Sequence, residues 1–380
     1  MTPIFSLKLL YFFYFFYLGI YVNLMSGHFQ DLHFTGPERA LIFGTIPIVA
    51  FFSNLIWGRI ADSRHSRKNM ILIFSLLCSV IFVVTLWVDC FWGFVFMSFG
   101  IGLFSSPMIP LTDSLALSAC SDNPNLYGRF RQWGTIAFIA ANVFLMILLF
   151  FFEKQGLNGW HLLFLMPVLM LCLAMVAPKI QDYRETFIPI PKISDLLPLF
   201  KNPGMGLFFL AALLHNIAYV GNYAYFSAHL KILGSSESWI ALCWAITPLG
   251  EIFIFRHSQA LLKRVTPVTL FRVALATGIL RWGLLSFLHD PLWIALSQLL
   301  HALSFGGYYL ASMILLSKWI PEHWRSSGQA LFASLCINLG MVSGNILMGY
   351  LFEIGGTFLI FQASTFLAFG AFILSLFLKL

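Results

Sequence analysis

Residues 179–203 read KIQDYRETFIPIPKISDLLPLFKNP, the longest polar interval in the chain and one rich in proline and charge. On both sides of it the sequence changes character. A helix needs about 20 apolar residues to cross a bilayer. Uninterrupted charge-free gaps of that size run over 9–30, 40–58, 69–88, 90–112, 132–152 and 155–178 before the interval, and over 202–230, 291–317, 326–352 and 354–378 after it. Two further apolar stretches, near 238–258 and 268–288, have the length but carry charges inside. The pattern predicts an all-α integral membrane protein of twelve transmembrane helices. An N-terminal six-helix half covers 1–178, a cytoplasmic linker 179–203, and a C-terminal six-helix half 204–380. Most other connections are very short, such as Asp89 alone or His289-Asp290-Pro291, and make neighbouring helices antiparallel.

Composition excludes the main alternatives. Of 380 residues, 59% are hydrophobic and 10% charged, against roughly 25% charged in soluble globular domains. No run of alternating polarity supports a transmembrane β-barrel. The net charge of +7 reports topology and not nucleic-acid binding. With the N-terminus inside, Arg59, Arg64, Arg67 and Lys68 share one cytoplasmic loop, Lys179, Arg184, Lys192 and Lys201 the linker, and Lys263, Arg264, Lys318 and Arg325 later cytoplasmic loops. The outer loops hold Arg39, Lys154 and Lys231 while collecting Asp31, Glu38, Asp89, Glu153, Glu237, Asp290 and Glu353. That bias fits the positive-inside rule, so both termini are expected in the cytoplasm. The six cysteines stand singly, with no CxxC or zinc spacing, and neither metal nor cofactor is expected. The first span is too long for a signal-peptide core and reads as a retained helix.

Ionisable residues inside membrane helices are costly and mark functional sites by default. Here they are Asp113 near the end of span four, Arg131 opening span five, Glu251 and Arg256 in span eight, Arg281 in span nine and His301 in span ten. Glu251 and Arg281 stand out. Each lies about midway along its span, and the two spans run antiparallel. An unpaired charge at that depth costs several kcal/mol, and a partner recovers much of it. The structural alternative for this pair is a buried ion pair without a transport role. For Arg131 it is snorkelling toward the interface, and for His301 a hydrogen-bonded packing role against that of a proton relay or solute donor. Arg256, a turn from the cytoplasmic end, reads as interfacial, and His215 and His229 stay undecided. The 42 Phe are read chiefly as lipid contact and packing.

Between spans two and three, Gly58-Arg59-Ile60-Ala61-Asp62-Ser63-Arg64-His65-Ser66-Arg67-Lys68 resembles the signature of the major facilitator transporters: Gly, three residues, Asp, then a basic cluster. The resemblance implies a conformational latch made by Gly58, Asp62 and Arg67. The alternative is ordinary positive-inside charge. The division into six and six spans also matches that superfamily, whose halves surround a midplane site.

Further blocks are similar to the 3-phenylpropionic acid transporter branch, which is related to lactose permease. They are Pro110-Leu111-Thr112-Asp113-Ser114, Tyr127-Gly128-Arg129-Phe130-Arg131-Gln132-Trp133-Gly134, Pro248-Leu249-Gly250-Glu251 and Gln298-Leu299-Leu300-His301. The resemblance implies that Asp113 and Arg131 match the sugar-holding acid and Arg of the permease. By the same match Glu251, Arg281 and His301 take its span-eight, span-nine and span-ten polar positions. Three departures count. Ser304 stands where the permease has its proton-carrying acid, Ile254 where it has a sugar-binding Asn, and Phe138 where it has a stacking Trp.

The expectation is a secondary active transporter of the inner or plasma membrane, monomeric, coupling proton entry to uptake of a small organic solute by alternating access. The site comprises Asp113, Arg131, Glu251, Arg281 and His301, with Phe138 and Trp133 as apolar wall. An aromatic or other monocarboxylate suits the Arg, and a sugar or nucleoside suits the mixture of acids and Arg. The alternatives are an uncoupled facilitator, which Ser304 favours, and a transporter-like membrane sensor. A membrane enzyme lacks any metal cluster, nucleotide loop or Ser/His/Asp arrangement in its support.

Overall fold

The structure, a computed structural model, describes residues 3–64, 67–120, 125–157, 159–181, 202–320, 329 and 331–378. Positions 182–201 of the linker lie outside them. Every regular element among the described residues is helical. Among the described residues ten helical runs are long and apolar enough to cross a membrane. One of them, Ala333–Leu376, covers spans eleven and twelve. The backbone breaks there at Gly355 and Gly356, the latter at φ 63° and ψ −158°, a conformation open essentially to glycine alone. Span two, Gly36–Arg64, is a helix of 29 residues, about 43 Å long at 1.5 Å per residue. The chain is thus a multi-pass membrane protein, and the described residues, all of whose regular elements are helical, include a helical stretch for each of the twelve spans the charge map predicts.

The residues gather into two compact units. The first comprises Met1–Phe34, Leu41–Phe187 and Gly234–Ala245. In it span one, Pro3–Asp31, packs along span five, Asn125–Lys154, and along Leu165–Val176 of span six, which also receives span three, Arg67–Thr85. Lipid tails are as apolar as Leu, so packing in a membrane leans on small residues and interhelical polar links. Gly19 supplies the first: a Cβ there would lie 2.9 Å from Ala141 Cβ and 3.3 Å from the Phe138 carbonyl oxygen. One turn on, Asn23 Nδ2 donates to Asn142 Oδ1 at 2.9 Å, fully buried.

Span four is Phe91–Gly100 and Met108–Cys120 joined through a π-helical segment, Ile101–Ser105. The wide turn frees backbone carbonyls, which must be satisfied inside the protein. Ser53 Oγ donates to the Gly102 oxygen at 2.7 Å, Trp57 Nε1 to that of Leu103 at 3.0 Å, and Tyr14 to that of Ser105 at 3.3 Å.

The second unit comprises Thr35–Ala40, Ile188–Leu233 and Ile246–Leu380. Span seven, Pro203–Ile232, packs along Leu339–Leu376. A Cβ on Gly344 would lie 2.6 Å from Val220 Cγ2 and 2.9 Å from the Ile217 oxygen, so the helices meet nearly backbone to backbone. Span ten runs Pro291–Ser297, a tight turn Gln298–Leu300, a π-helical segment Ala302–Gly307, then Tyr308–Trp319. His215 Nε2 donates to the freed Ser304 carbonyl at 3.0 Å, which gives this undecided histidine a packing role. Span eight is interrupted at Thr247-Pro248, between Glu237–Ile246 and Leu249–Arg256, so its second segment restarts just ahead of Glu251.

Candidate functional site

In the second unit, three elements bring the mid-span polar residues together. Glu251 comes from Leu249–Arg256, Arg281 from Pro267–Leu285, and His301 from the junction between the tight turn and the π segment of span ten. Small residues let span eight approach that segment. A Cβ on Gly306 would stand 3.4 Å from Glu251 Cγ, and one on Gly250 would overlap Ala302. The three residues are 8%, 0% and 4% exposed for Glu251, Arg281 and His301.

Their hydrogen bonds form a chain. His301 Nε2 lies 2.6 Å from Glu251 Oε1. On the other side of the ring, His301 Nδ1 lies 2.9 Å from Arg281 Nη1. Arg281 Nη2 donates to Gln298 Oε1 at 2.6 Å and to Asn222 Oδ1 at 3.1 Å. The donor inventory fixes the tautomer. Guanidinium only donates, so Nδ1 accepts and carries no proton, and the ring hydrogen sits on Nε2, facing the carboxylate. The imidazole is therefore neutral in this arrangement, and a second ring proton would break the bond to Arg281. Glu251 and Arg281 do not touch directly; the imidazole stands between them. Phe305 stacks on His301, centroids 5.0 Å apart and planes 6° from parallel, which holds the ring's orientation.

Two partners of Arg281 escape the charge-based reading. Gln298 and Asn222 are neutral, and a search for charges passes over them. Amides within apolar spans were the available signal. Gln298 is itself anchored, donating to the Ile294 oxygen and to Ser297 Oγ at 3.3 and 3.2 Å.

In the first unit, the Tyr11 hydroxyl donates to the Asp113 carboxylate. Arg131 lies half-buried with its guanidinium 4.4 Å from the Phe15 ring centroid and 6.0 Å from that of Tyr11, within the range of cation–π attraction. Gly134 makes the room: a Cβ there would stand 2.7 Å from Phe15 Cδ2 and 2.8 Å from Arg131 Nη1. Asp113 and Arg131 thus share Tyr11 as a neighbour. Trp133 sits elsewhere on span five, 6.5 Å from Phe12 with Lys8 Nζ 5.8 Å above its ring. Phe138 meets Trp244 edge to face at 6.4 Å.

Other candidates are dispersed. Arg67 opens span three and is 6% exposed, while the surroundings of Gly58 and the side chain of Asp62 lie outside the described residues. Arg256 is exposed. His229 Nδ1 lies 2.8 Å from Thr357 Oγ1. Among the described residues no group of three His, Cys, Asp or Glu could hold a metal ion.

Comparison with known proteins places this geometry in context. The model of the MFS_1 like family matches residues 4–363. The uncharacterized transporter YwbF of Bacillus subtilis is 24% identical over 375 residues, 98% of this chain and 92% of that protein. The probable 3-phenylpropionic acid transporter of Escherichia coli is 25% identical over 353 residues, covering 91% and 90%. Xanthosine permease of Escherichia coli is 24% identical over 368 residues, covering 90% and 86%. Among solved structures, the nucleoside transporter NupG superposes with a TM-score of 0.83 at 19% identity, over 99% of this chain and 98% of that one, a likeness of fold.

Proposed function

Given that the chain belongs to the MFS_1 like family, we propose that it couples inward proton movement to uptake of a small organic solute by alternating access. The observation that carries the proposal is the buried chain Glu251–His301–Arg281. Its titratable members lie in direct contact, and its cation has neutral acceptors around it. Within that chain a proton moves to or from Glu251 and the imidazole next to it, while Arg281 compensates the negative charge when the carboxylate is empty.

Arg281 is fully enclosed and committed to three acceptors, so solute recognition falls to the first unit. There Arg131 presents a half-buried guanidinium held by aromatic faces, and Asp113 with Tyr11 presents a carboxylate and hydroxyl. Phe138 acts as apolar wall, while Trp133, against Phe12 and Lys8, stands apart from these groups. A planar solute with a carboxylate or hydroxyl edge fits these groups, and relatives named for 3-phenylpropionic acid and xanthosine support that class. Gly58, Asp62 and Arg67 act as the conformational latch on the cytoplasmic side. The working arrangement is a monomer with six-helix halves over 1–178 and 204–380, both termini cytoplasmic, in the inner or plasma membrane.

The second reading is an uncoupled facilitator, favoured by Ser304. Its hydroxyl is buried, makes no hydrogen bond and carries no exchangeable charge. Uptake into vesicles with and without an imposed proton gradient decides between them. Coupling predicts accumulation above equilibrium only with the gradient, and facilitation predicts equilibration in both.

A further inference from the structure

We propose that His215 is a positioning residue for proton transfer: its Nε2–H holds the π turn of span ten in the form that sets His301 between Glu251 and Arg281. The proposal rests on the proton-linked role given to that chain above. All of its residues belong to the second compact unit.

A π turn is a rare and short departure from the α-helix, and in a membrane its backbone groups have to be satisfied inside the protein. In span ten the π segment Ala302–Gly307 follows His301 directly. The course of the backbone over those six residues therefore decides where the imidazole points. Span seven takes hold of this stretch at two places. His215 Nε2 donates to the Ser304 oxygen at 3.0 Å. The next residue, Asn216, donates through Nδ2 to the Tyr308 hydroxyl and to the Ala212 oxygen, each at 2.8 Å, and Tyr308 opens the α-helix that follows the π segment.

His215, Tyr219 and Asn222 stand four and three residues apart, which puts them on one face of span seven. Each meets a different part of the buried chain. Asn222 Oδ1 accepts from Arg281 Nη2 at 3.1 Å. The Tyr219 ring lies 6.0 Å from that of His301 and stacks on Phe305 at 5.4 Å and 28°, and Phe305 is the ring that covers His301. His215 holds the backbone between His301 and Phe305. The charged and titratable groups that face His301 are thus Glu251, Arg281 and Tyr219, with His215 behind the π segment.

His215 is itself fixed in place. A carbonyl only accepts, so the ring hydrogen sits on Nε2. The ring is buried and stacks on Tyr308, centroids 4.2 Å apart and planes at 29°. Trp282 packs against it at 5.3 Å. Gly278 of span nine leaves the room, since a Cβ there would stand 3.5 Å from His215 Cε1 and 3.1 Å from Trp282 Cζ3. Packing alone does not account for a histidine here. A phenyl ring fills the space between Tyr308 and Trp282 equally well, whereas the imidazole buries Nδ1 without a hydrogen bond, an unfavourable state for a polar atom. What the imidazole adds is the donor that meets the Ser304 carbonyl.

Two variants separate the donor from the ring. His215→Phe keeps the ring and loses the donor. His215→Gln keeps a donor at the same reach, because its Nε2 is as many bonds from the backbone as the imidazole Nε2, and it cannot titrate. The full chain in lipid is labelled with 15N-histidine, and His301→Gln identifies the His301 signals. The wild type is expected to show one protonated and one bare nitrogen there, as the two hydrogen bonds of the ring require. The Phe variant leaves a buried carbonyl unsatisfied, and a loss of about 1.4 kcal/mol is tenfold in the population of this arrangement. It is expected to shift or split the His301 signals and to slow gradient-driven uptake about tenfold while counterflow of solute continues, and Gln to restore both. Unchanged His301 signals in an inserted Phe variant overturn the positioning role. Where that variant fails to insert, His215→Asn is measured instead; it is smaller and carries its amide at the Nδ1 place, and unchanged signals there overturn the proposal equally. Uptake lost in the Gln variant with the His301 signals intact makes His215 a proton carrier in its own right and overturns positioning. A wild type that ignores the gradient removes the coupling reading, and the His301 signals still decide for or against the hold of His215 on the π turn.

Discussion

Replacing Glu251 by Gln separates the proton-linked role proposed for the buried chain from its structural one. Gln offers its Oε1 to His301 Nε2 where the carboxylate now accepts at 2.6 Å, so the bond survives as a neutral one. A hydrogen bond to a charged group contributes about 1.5–3 kcal/mol and a neutral one about 0.5–1.5, so the variant loses about 1 kcal/mol of local stability. Solute affinity, which the proposal assigns to the first unit, is expected to stay within about tenfold, because a tenfold change takes about 1.4 kcal/mol. Accumulation behaves differently. One proton carried with a neutral solute gains about 2.3 kcal/mol per 100 mV, which is roughly a fiftyfold concentration ratio. With a monoanionic solute the carried pair is neutral, and only the pH difference drives it, about tenfold per unit. The variant is expected to lose that ratio entirely while still exchanging solute down a gradient. His301→Gln makes the companion measurement, since its amide can accept from Arg281 and donate to Glu251 and yet cannot titrate. The assay is vesicle uptake of labelled solute, with counterflow as the control for exchange. Gradient-driven accumulation at wild-type level in Glu251→Gln refutes the role given to the carboxylate. If His301→Gln alone fails, the role passes to the histidine. If neither change matters and the wild type ignores the gradient, the facilitator reading replaces coupling.

Arg281→Ala strands three buried acceptors, on His301, Gln298 and Asn222. At about 1–3 kcal/mol each the protein should insert but melt earlier in detergent and accumulate nothing. Normal uptake by inserted protein would leave Arg281 a structural residue. Gly134→Ala puts a methyl 2.8 Å from Arg131 Nη1 and displaces the guanidinium. The same methyl crowds Phe15 at 2.7 Å, so the variant also loses about 1–3 kcal/mol of stability; affinity for a carboxylate solute, measured by equilibrium binding on folded protein, is expected to fall about tenfold. Asp62→Asn is expected to slow turnover while leaving affinity near wild type. Equal loss of both would point to misfolding and remove the latch reading of that segment.

Much of the fold is legible from charge alone, because a bilayer penalises an unpaired charge heavily enough to write span boundaries into the sequence. The stretch Ala333–Leu376 shows both the strength and the limit of that signal. Glu353 and the two glycines after it mark the division, but only the backbone reveals that Gly356 turns the chain with no loop at all. The π segments in spans four, ten and eleven have no signature in composition, since they depend on neighbours such as Ser53, Trp57 and His215 taking up carbonyls. At the site, ionisable residues announce themselves and their geometry does not. Glu251, Arg281 and His301 could be picked out individually, yet antiparallel spans at similar depth suggest a direct acid–base contact and not one passing through an imidazole. Tyr11 beside Asp113 lies more than a hundred positions away in the chain, and its aromatic run reads equally well as lipid contact.

The π segment after His301 bears on how this chain is to be lined up with its relatives. In an α-helix the residue stacked one turn beyond a histidine is the third or fourth along, which is how Ser304 comes to be set against another transporter's acid. A π turn bonds i to i+5, and the residue that covers the His301 ring is Phe305, while the Ser304 hydroxyl is buried without a hydrogen bond. Each turn of Ala302–Gly307 takes in more residues than an α turn, so which side chains share a face along this stretch is not read from regular helical spacing. The residue of this segment that faces Glu251 is Gly306, where a Cβ would stand 3.4 Å from Glu251 Cγ, so the carboxylate meets backbone there and no second acid.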